Sequence, residues 1–559
     1  MADDPHTPQI PPTSQLPPTP QLPQWSDRLV QSTLAAGLAL LQSPRLLHWA
    51  PWLLAAAAVL GGLAVALATG QVVQVPYPIE TMENGMAEMA VRAAAGLPMY
   101  AEPSLDYIAM PYGPLGPRVA SWLLGGSVAP LQAMRAVNAG GMAVAVVVVY
   151  LLARTWQLPR PLALVAAAWP LLAGEMTGNF FGVGKSDGLM VALMLGGMLA
   201  VARGRGVLSA LLAGTLFGLA CAVKQSALPY AMVLATVLAL VEWRRAAVLL
   251  ASTAAVAWLL VGLPVLQGDR WMGYFLYEAP SEYPHAVGSP LVMPRALLAR
   301  DVGMVALALA APPWLWLLGE RRRAVHALAV LLAGLVPSLL LLTQGTYSNS
   351  LIPATAVLGV VAMLAVQQWV VALTRRGAPG GQLGLLWAAI GLQLLAMIHN
   401  PFKVVPGPAA RAEWQALVDW VRAAPAPVAL PDEPYTARLS GQRFFATDAC
   451  LTVLSGAPKT GRPMADRIRG ELLAWIDAQR PAAVVTTFHR DAMSERAGYA
   501  YVGALNGPGG WDRTVGGYTQ QWHVFVRRDL PATASPAPVL NRLVAGEVVG
   551  WPLPKKAAP

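Results

Sequence analysis

Four short segments set ionisable or amide side chains beside apolar runs, where burying them is costly and a reason for keeping them is needed. The first is ETMENGMAE, residues 80–88, which carries Glu80, Glu83 and Glu88. Carboxylates there suit a helix start, where the helix dipole favours them, or could act on a ligand. The second is NFFGVGKSDGLM, residues 179–190, with Lys185 and Asp187 at the edge of an apolar run. That pair could be an interfacial ion pair that opens a helix, or part of a binding site. The third is AVKQSALP, residues 222–229, where Lys224 and Gln225 interrupt an apolar hairpin. A lysine in that position must snorkel, pair with an acid or bind an anion. The fourth is QGTYSNSLIPA, residues 344–354, whose Asn349 and Ser350 could bond a ligand or cap a helix.

The elements that must position these residues are apolar. Of 559 residues, 56% are hydrophobic and only 12% charged. The mean hydropathy is +0.50. Soluble domains average about 25% charged residues, so most of this chain cannot face water. Disorder, a collagen repeat and a disulfide scaffold are excluded over most of the length. Two cysteines, Cys221 and Cys450, offer neither a disulfide framework nor a CxxC metal site and read as small buried hydrophobes. The expected fold class is an α-helical polytopic membrane protein with a small α/β domain at its C-terminal end. About eleven segments between residues 51 and 398 approach the length that crosses a bilayer. They lie near 51–70, 129–152, 161–177, 187–202, 206–223, 228–242, 246–264, 301–319, 325–343, 350–373 and 383–398. A shorter apolar run, 31–42, reads as interfacial or buried.

Charge then sets orientation. The net charge is +10. In a soluble protein that excess would suggest nucleic acid, but here it sorts by loop. Alternate breaks hold Arg154 and Arg160, Arg203 and Arg205, Arg244 and Arg245, Arg321 to Arg323, then Arg375 and Arg376. The intervening breaks hold Glu80, Glu83, Glu88, Asp106, Asp187, Asp269, Glu278 and Glu282. The positive-inside rule places the arginine breaks and the N-terminus in the cytoplasm. An odd number of spans places the C-terminal segment outside. Three regions are expected: a Pro-rich, disordered cytoplasmic tail over 1–24, a membrane domain over 25–398 that includes an outer loop at 71–128, and an extracytoplasmic α/β domain over 399–559. In the last, 425–430, 481–488, 498–505 and 521–528 read as strands and 462–480 as an amphipathic helix. Within the outer loop, 80–95 reads as a surface helix ended by Gly96, and 114–124 as a second one bearing Arg118.

In order and topology these segments resemble the C-type (GT-C) membrane glycosyltransferases, the superfamily of the protein O-mannosyltransferases and the lipid A aminoarabinose transferase. Motifs matched in the first outer loop are Glu83-Asn-Gly85, Gly96-Leu-Pro-Met-Tyr100 and Tyr112-Gly-Pro-Leu115. Arg135 matches an arginine entering the second span. Lys185-Ser-Asp187 matches an R-x-D motif with lysine replacing arginine, which keeps the cation and loses the bidentate fork. Lys224-Gln225 matches a KQ pair, and Asn349-Ser-Leu-Ile-Pro353 an N-x-L-x-P that opens a late span. His399-Asn-Pro401 and Leu439-Ser-Gly441 resemble the start of the bacterial members' outer domain.

The resemblance implies transfer of a sugar from a polyprenyl-phosphate donor to a glycan, lipid or protein acceptor at the outer face of the cytoplasmic membrane, with membrane lipid and no nucleic acid as partners. An acceptor hydroxyl attacking the anomeric carbon needs a base. Glu83, thirteen residues before Gly96, is the first choice, with Glu80 the alternate and Asp187 close to the reaction. Some members carry Asp-Glu at this point, which this chain lacks. The lipid phosphate that leaves needs fixed cations, for which Lys224, Lys185 and Arg118 are candidates. Tyr112, Gln225, Arg135 and Asn349 complete the expected binding set. Some members bind a divalent cation through loop acids and others do not, and no His/acid cluster in the sequence demands one. The competing reading is a polytopic transporter or lipid flippase. It would predict related halves and polar residues at midplane, neither of which the sequence carries.

Overall fold

The computed structural model describes residues 43–530 apart from 81, 125–127, 284–291, 343–347, 378–379, 425, 447, 487–492, 494–495, 497 and 506–521. The tail over 1–24 and the apolar run 31–42 lie outside the described residues. The first helix, α1 (Pro44–Val73), starts on a proline at its first position, where no backbone N–H is needed. Its small residues Ala55, Ala58, Gly62, Val65 and Ala68 form one buried stripe at helical spacing. The stripe lies against α5 (Arg160–Leu172), whose Ala168 and Leu171 close on Gly62. Small residues allow that approach where no hydrophobic force draws helices together. The opposite face of α1 leaves Leu53, Leu60, Leu63 and Leu67 more than half exposed, a surface that only lipid can cover.

Helices α4 (Pro130–Thr155), α6 (Asp187–Arg203) and α7 (Val207–Val223) pack side by side. A Cβ on Gly141 of α4 would overlap the backbone at Gly188 and Leu189, so α4 and α6 meet backbone to backbone. The next helix, α8 (Leu228–Ala257), continues to Leu266 through a π-helical turn. At 1.5 Å per residue the 42-residue apolar segment Gln225–Leu266 would be about 63 Å long, twice the hydrocarbon thickness. It therefore reverses at Glu242, the one residue inside it off helical dihedrals (φ −143°, ψ 54°). The second half then runs beside α7: Gly214 meets Leu249 and Ser252, and Gly218 meets Thr253 and Val256. Two segments that read as separate in the sequence are thus halves of one broken helix. The remaining long helices are α9 (Val292–Leu317), α10 (Arg321–Leu342), α11 (Ile352–Arg375) and α12 (Gly380–Met397). Among the described residues six helices meet the length and hydropathy of a membrane span, and the chain is a multi-pass membrane protein. The segment read as 161–177 is helical only to Leu172, after which the chain turns through Gly178 and Asn179 at positive φ.

Between α1 and α4 lie α2 (Glu83–Ala94) and α3 (Leu115–Ser121). The first is followed by Gly96 at φ +69°, the left-handed turn that glycine tolerates. Beyond α12 come α13 (Pro408–Ala423), α14 (Pro434–Leu439), α15 (Asp448–Ser455) and α16 (Gly461–Gln479). They accompany a four-stranded sheet of β1 (Val428–Ala429), β2 (Ala483–Thr486), β3 (Tyr499–Leu505) and β4 (Trp522–Arg527) in the order β1-β2-β4-β3. β1 pairs parallel to β2, and β4 lies antiparallel between β2 and β3. Leu472 and Ile476 of α16 fill the space over the sheet with Phe445, Val484 and Phe525. This region sits on the loop around α2: Arg438 pairs with Glu88 at 2.6 Å, Arg443 with Asp106 at 2.8 Å, and Ala446 N–H donates to Leu105 O at 2.8 Å. Both cysteines are buried, and Cys450 Sγ lies 3.3 Å from Met110 Sδ.

Candidate active site

Two charged assemblies meet where the loop before α2 touches the membrane helices. The first is a closed fork. Arg135 projects from the second turn of α4 and Glu83 opens α2. Nε of Arg135 donates to Oε1 of Glu83 at 2.8 Å, and Nη2 to Oε2 at 2.7 Å. The other three guanidinium bonds go to the carbonyls of Val72 (3.2 Å), Val75 (2.6 Å) and Tyr77 (2.7 Å). All five N–H donors of the arginine are used. Each oxygen of Glu83 takes a second donor, Ile79 N–H at 2.8 Å and Gly184 N–H at 2.5 Å. Neither side chain has any exposure. This fork ties the end of α1, the start of α2, α4 and the loop before α6 to one another.

The second assembly is an alternating chain of acids and lysines. Glu80 meets Lys185 Nζ at 2.9 Å, and its other oxygen accepts Met82 N–H at 2.7 Å. Asp187, at the first turn of α6, accepts Lys224 Nζ at 2.8 Å on one oxygen and Asn349 Nδ2 at 2.7 Å on the other. Lys224 also lies 5.2 Å from the ring centre of Tyr112, and Lys185 4.7 Å from that of Phe180. Gln225 Nε2 donates to Pro111 O at 3.1 Å and so fixes the strand of loop that carries Tyr112. Three of the four ionic side chains are 4% exposed or less, whereas Lys224 is 19% exposed. The lysine at the end of α7 is where this chain reaches solvent.

Burial raises the Glu80 carboxyl above the ordinary carboxylate range, and the neighbouring Lys185 only partly offsets it. Burial works against the ammonium of Lys185, but Glu80 and Asp187 outweigh it and hold that lysine above its usual value. Lys224 is also raised, with Asp187 outweighing burial. Both lysines therefore carry full charge at neutral pH.

Glycines let these segments converge. A Cβ on Gly113 would overlap the Ala222 carbonyl, and one on Gly116 the Ser186 hydroxyl. The start of α3 therefore rests directly on the end of α7 and the start of α6. Gly113 N–H donates to Val223 O at 3.0 Å across that seam. Arg118 stands apart from the ionic chain. It lines a cavity of about 490 Å³ with Leu97, Pro98, Leu115, Ala222 and Pro264 among its walls. Ala222 puts that cavity two residues from Lys224. Among the described residues no group of three His, Cys, Asp or Glu side chains is arranged to hold a metal ion.

The site contains residues that sequence reasoning missed. Asn138, one turn beyond Arg135, donates to the carbonyls of Phe180 (2.7 Å) and Phe181 (3.1 Å) and accepts Gly188 N–H at 2.6 Å. It holds the loop that presents Lys185 and Asp187. Its signal was an amide inside an apolar span. From the C-terminal region, Trp414 packs on Tyr77 at 5.3 Å, and Glu433 is buried with its carboxyl well above the usual range, through burial first and then the nearby acids Asp432 and Glu83.

The model of glycosyltransferase family 87 matches residues 119–343. Two solved structures of ArnT from Cupriavidus metallidurans share the architecture. The form bound to undecaprenyl phosphate is 14% identical, covers 86% of this chain and 99% of its own, and superposes with a TM-score of 0.53. For the apo form the values are 14%, 83%, 97% and 0.50. No curated protein matches by sequence. The likeness to ArnT places this chain in the GT-C fold, and with the family-model match it makes the chain a membrane glycosyltransferase of that type.

Proposed function

We propose that this membrane glycosyltransferase moves a sugar from a polyprenyl-phosphate donor to an acceptor hydroxyl at the acid–lysine chain, on the outer face of the cytoplasmic membrane. The observation that carries this reading is a pair of buried ion pairs, Glu80–Lys185 and Asp187–Lys224, two residues apart where the loop enters α6, with Asn349 on Asp187 and Lys224 the most exposed member. The acceptor oxygen attacks the anomeric carbon, the bond from that carbon to the phosphate oxygen breaks, and the phosphate leaves with the electron pair. Its negative charge meets Lys224, with Lys185 behind. Fixed cations in a water-poor site favour that charge without reorganising. The cavity beside Arg118 and Ala222 suits the first isoprenoid units, and ArnT has been described with undecaprenyl phosphate bound.

The acceptor proton goes to a carboxylate, and the geometry favours Glu80 over Glu83. Glu83 has no open lone pair and no exposure, so it is a positioning residue, together with Arg135. Glu80 accepts from Lys185 and from Met82 N–H, and burial raises its proton affinity, which suits a general base. Asp187 keeps Lys224 aimed and Asn349 keeps Asp187 aimed. The orientation is supported by the arginines: Arg203, Arg205, Arg244 and Arg245 sit at the helix ends away from Lys224, which puts the site outside by the positive-inside rule. The sheet-bearing region after residue 398 then covers the site from the extracytoplasmic side.

The test uses purified full-length protein and a polyprenyl-phosphate sugar, with release of polyprenyl phosphate as the readout. Glu80→Gln is expected to lose about 10²-fold or more in turnover while still purifying as folded protein. Turnover within a few-fold of wild type in folded Glu80→Gln would overturn the assignment of the base.

A further inference from the structure

The far ends of α6 and α7 carry a second concentration of charge that sugar transfer does not use. α7 has 17 residues, so its two ends lie about 25 Å apart, with Lys224 at one and Arg205 just before the other. Three chain reversals meet at the Arg205 end. The break between α6 and α7 supplies Arg205, the reversal at Glu242 supplies Arg244 and Arg245, and the start of α10 supplies Arg322. With Val241, Glu242 and Trp243 these arginines line one cavity of about 510 Å³.

Charge in the cavity is far from balanced. Among the described residues Glu242 is the only acid lining it, and it is shared between Arg245, Arg322 (2.7 Å) and His326 (3.7 Å). Nη2 of Arg245 is spent on the carbonyls of Val201 and Gly204 and the hydroxyl of Ser209, at 3.0, 2.8 and 3.0 Å. Yet, among the described residues, Nε of Arg245 and Nε of Arg322 are shielded from solvent and have no acceptor. A buried donor left unmade is expensive, and both belong to arginines that line this cavity, which favours acceptor oxygens there. The positive-inside rule accounts for arginines in each loop separately. It does not account for three loops converging with donors unfilled.

The rim shows where the ligand comes from. Leu240, Val241 and Trp243 are 74%, 46% and 66% exposed, an apolar edge facing the bilayer, and Arg244 stacks 5.5 Å from the Trp243 ring. Tryptophan settles at headgroup level. Guanidinium forks pair with phosphate oxygens two at a time. We propose that this cavity binds the phosphate of an anionic phospholipid headgroup, with the acyl chains lying along Leu240. A free phosphate offers the same oxygens, but it would leave the apolar rim uncovered. The bound headgroup would fix the reversal of α8 against α7 and α10.

Full-length protein in detergent is titrated with phosphatidylglycerol, phosphatidylcholine or inorganic phosphate, and bound lipid is counted by native mass spectrometry. Wild type is expected to retain phosphatidylglycerol over phosphatidylcholine, and Arg244→Ala/Arg322→Ala to bind it about tenfold or more weakly. Arg205→Gln, in an exposed break, gives a milder version of the same loss should the double variant fold poorly. Lys224→Ala is expected to bind phosphatidylglycerol as wild type does. The proposal is overturned if the two lipids bind alike, if the arginine variants retain phosphatidylglycerol fully, if Lys224→Ala abolishes binding, or if inorganic phosphate displaces the lipid at comparable concentration.

Discussion

The Glu83–Arg135 fork and the Glu80–Lys185–Asp187–Lys224 chain both pair carboxylates with cations a few residues apart, yet their surroundings differ. The fork has every donor and acceptor occupied and no surface. The chain pairs its acids with lysines, one of which reaches solvent. On the proposed function, saturation and access, rather than charge, divide a structural pair from a reactive one. The sharpest way to break this comparison is Arg135→Ala. It leaves Glu83 charged and enclosed, which costs about 3–5 kcal/mol. Loss of most folded protein, read by size-exclusion chromatography and thermal unfolding, is expected. Arg135→Lys should rescue little, because an ammonium cannot supply the five-donor fork. If Arg135→Ala instead folds normally and only turnover falls, the fork belongs to the chemistry and the distinction fails.

Lys224→Ala attacks the other side. Removing one fixed cation from a developing phosphate charge is expected to lower turnover about 10²- to 10³-fold. Stability should change little, since this lysine is partly exposed and Asp187 keeps Asn349 as a donor. Lys224→Arg should restore part of the rate. A large drop in thermal midpoint for Lys224→Ala would mean that this chain, like the fork, is architecture.

How much of this was legible beforehand follows from which physics is local. Hydropathy placed most of the long helices, and alternation placed β2, β3 and β4 close to their observed ends. The bacterial-type motifs named most of the residues that converge, because composition at membrane depth leaves few alternatives. What stayed hidden was pairing across distance. Arg135 lies 52 residues from Glu83, and Asn349 lies 162 from Asp187. No spacing argument reveals which of three neighbouring acids will be saturated by such a partner. Thirteen residues to Gly96 pointed to Glu83, and the fold puts the fork there; the proposed base is therefore Glu80. Asn138 was missed for the same reason, since its partners are backbone atoms of a loop more than 40 residues away. The reversal at Glu242 was read as a break between two spans, but not as a single residue turned off the helix.

Asn349→Ala tests whether aim within the chain matters. It removes one hydrogen bond from Asp187 while leaving the Lys224 pair, so turnover should fall about tenfold, the worth of one bond to a charged group. Asn349→Asp should be worse than alanine, because it sets a second carboxylate against Asp187. Equal turnover in all three proteins would show that Lys224 needs no help from Asn349.

The smallest effect lies in pH. Burial raises Glu80, so its carboxyl binds a proton at a pH where a solvated glutamate has lost it. If Glu80 is the base, protonation stops the reaction, and kcat/KM must fall on the acid side with a limb above the ordinary glutamate value of about 4.3. The same shift works on stability with the opposite sense. The folded state holds this proton more tightly than the unfolded chain, so the contribution of Glu80 falls as pH rises from the unfolded to the folded pKa. Acidification across that window should therefore slow turnover while slightly raising the thermal midpoint. Glu80→Gln, assayed for its residual rate, should lose that acid limb and flatten the stability slope together. A limb unchanged in Glu80→Gln would assign the titration to another acid, and Asp187, held by Lys224 and Asn349, would be the next to exchange for its amide.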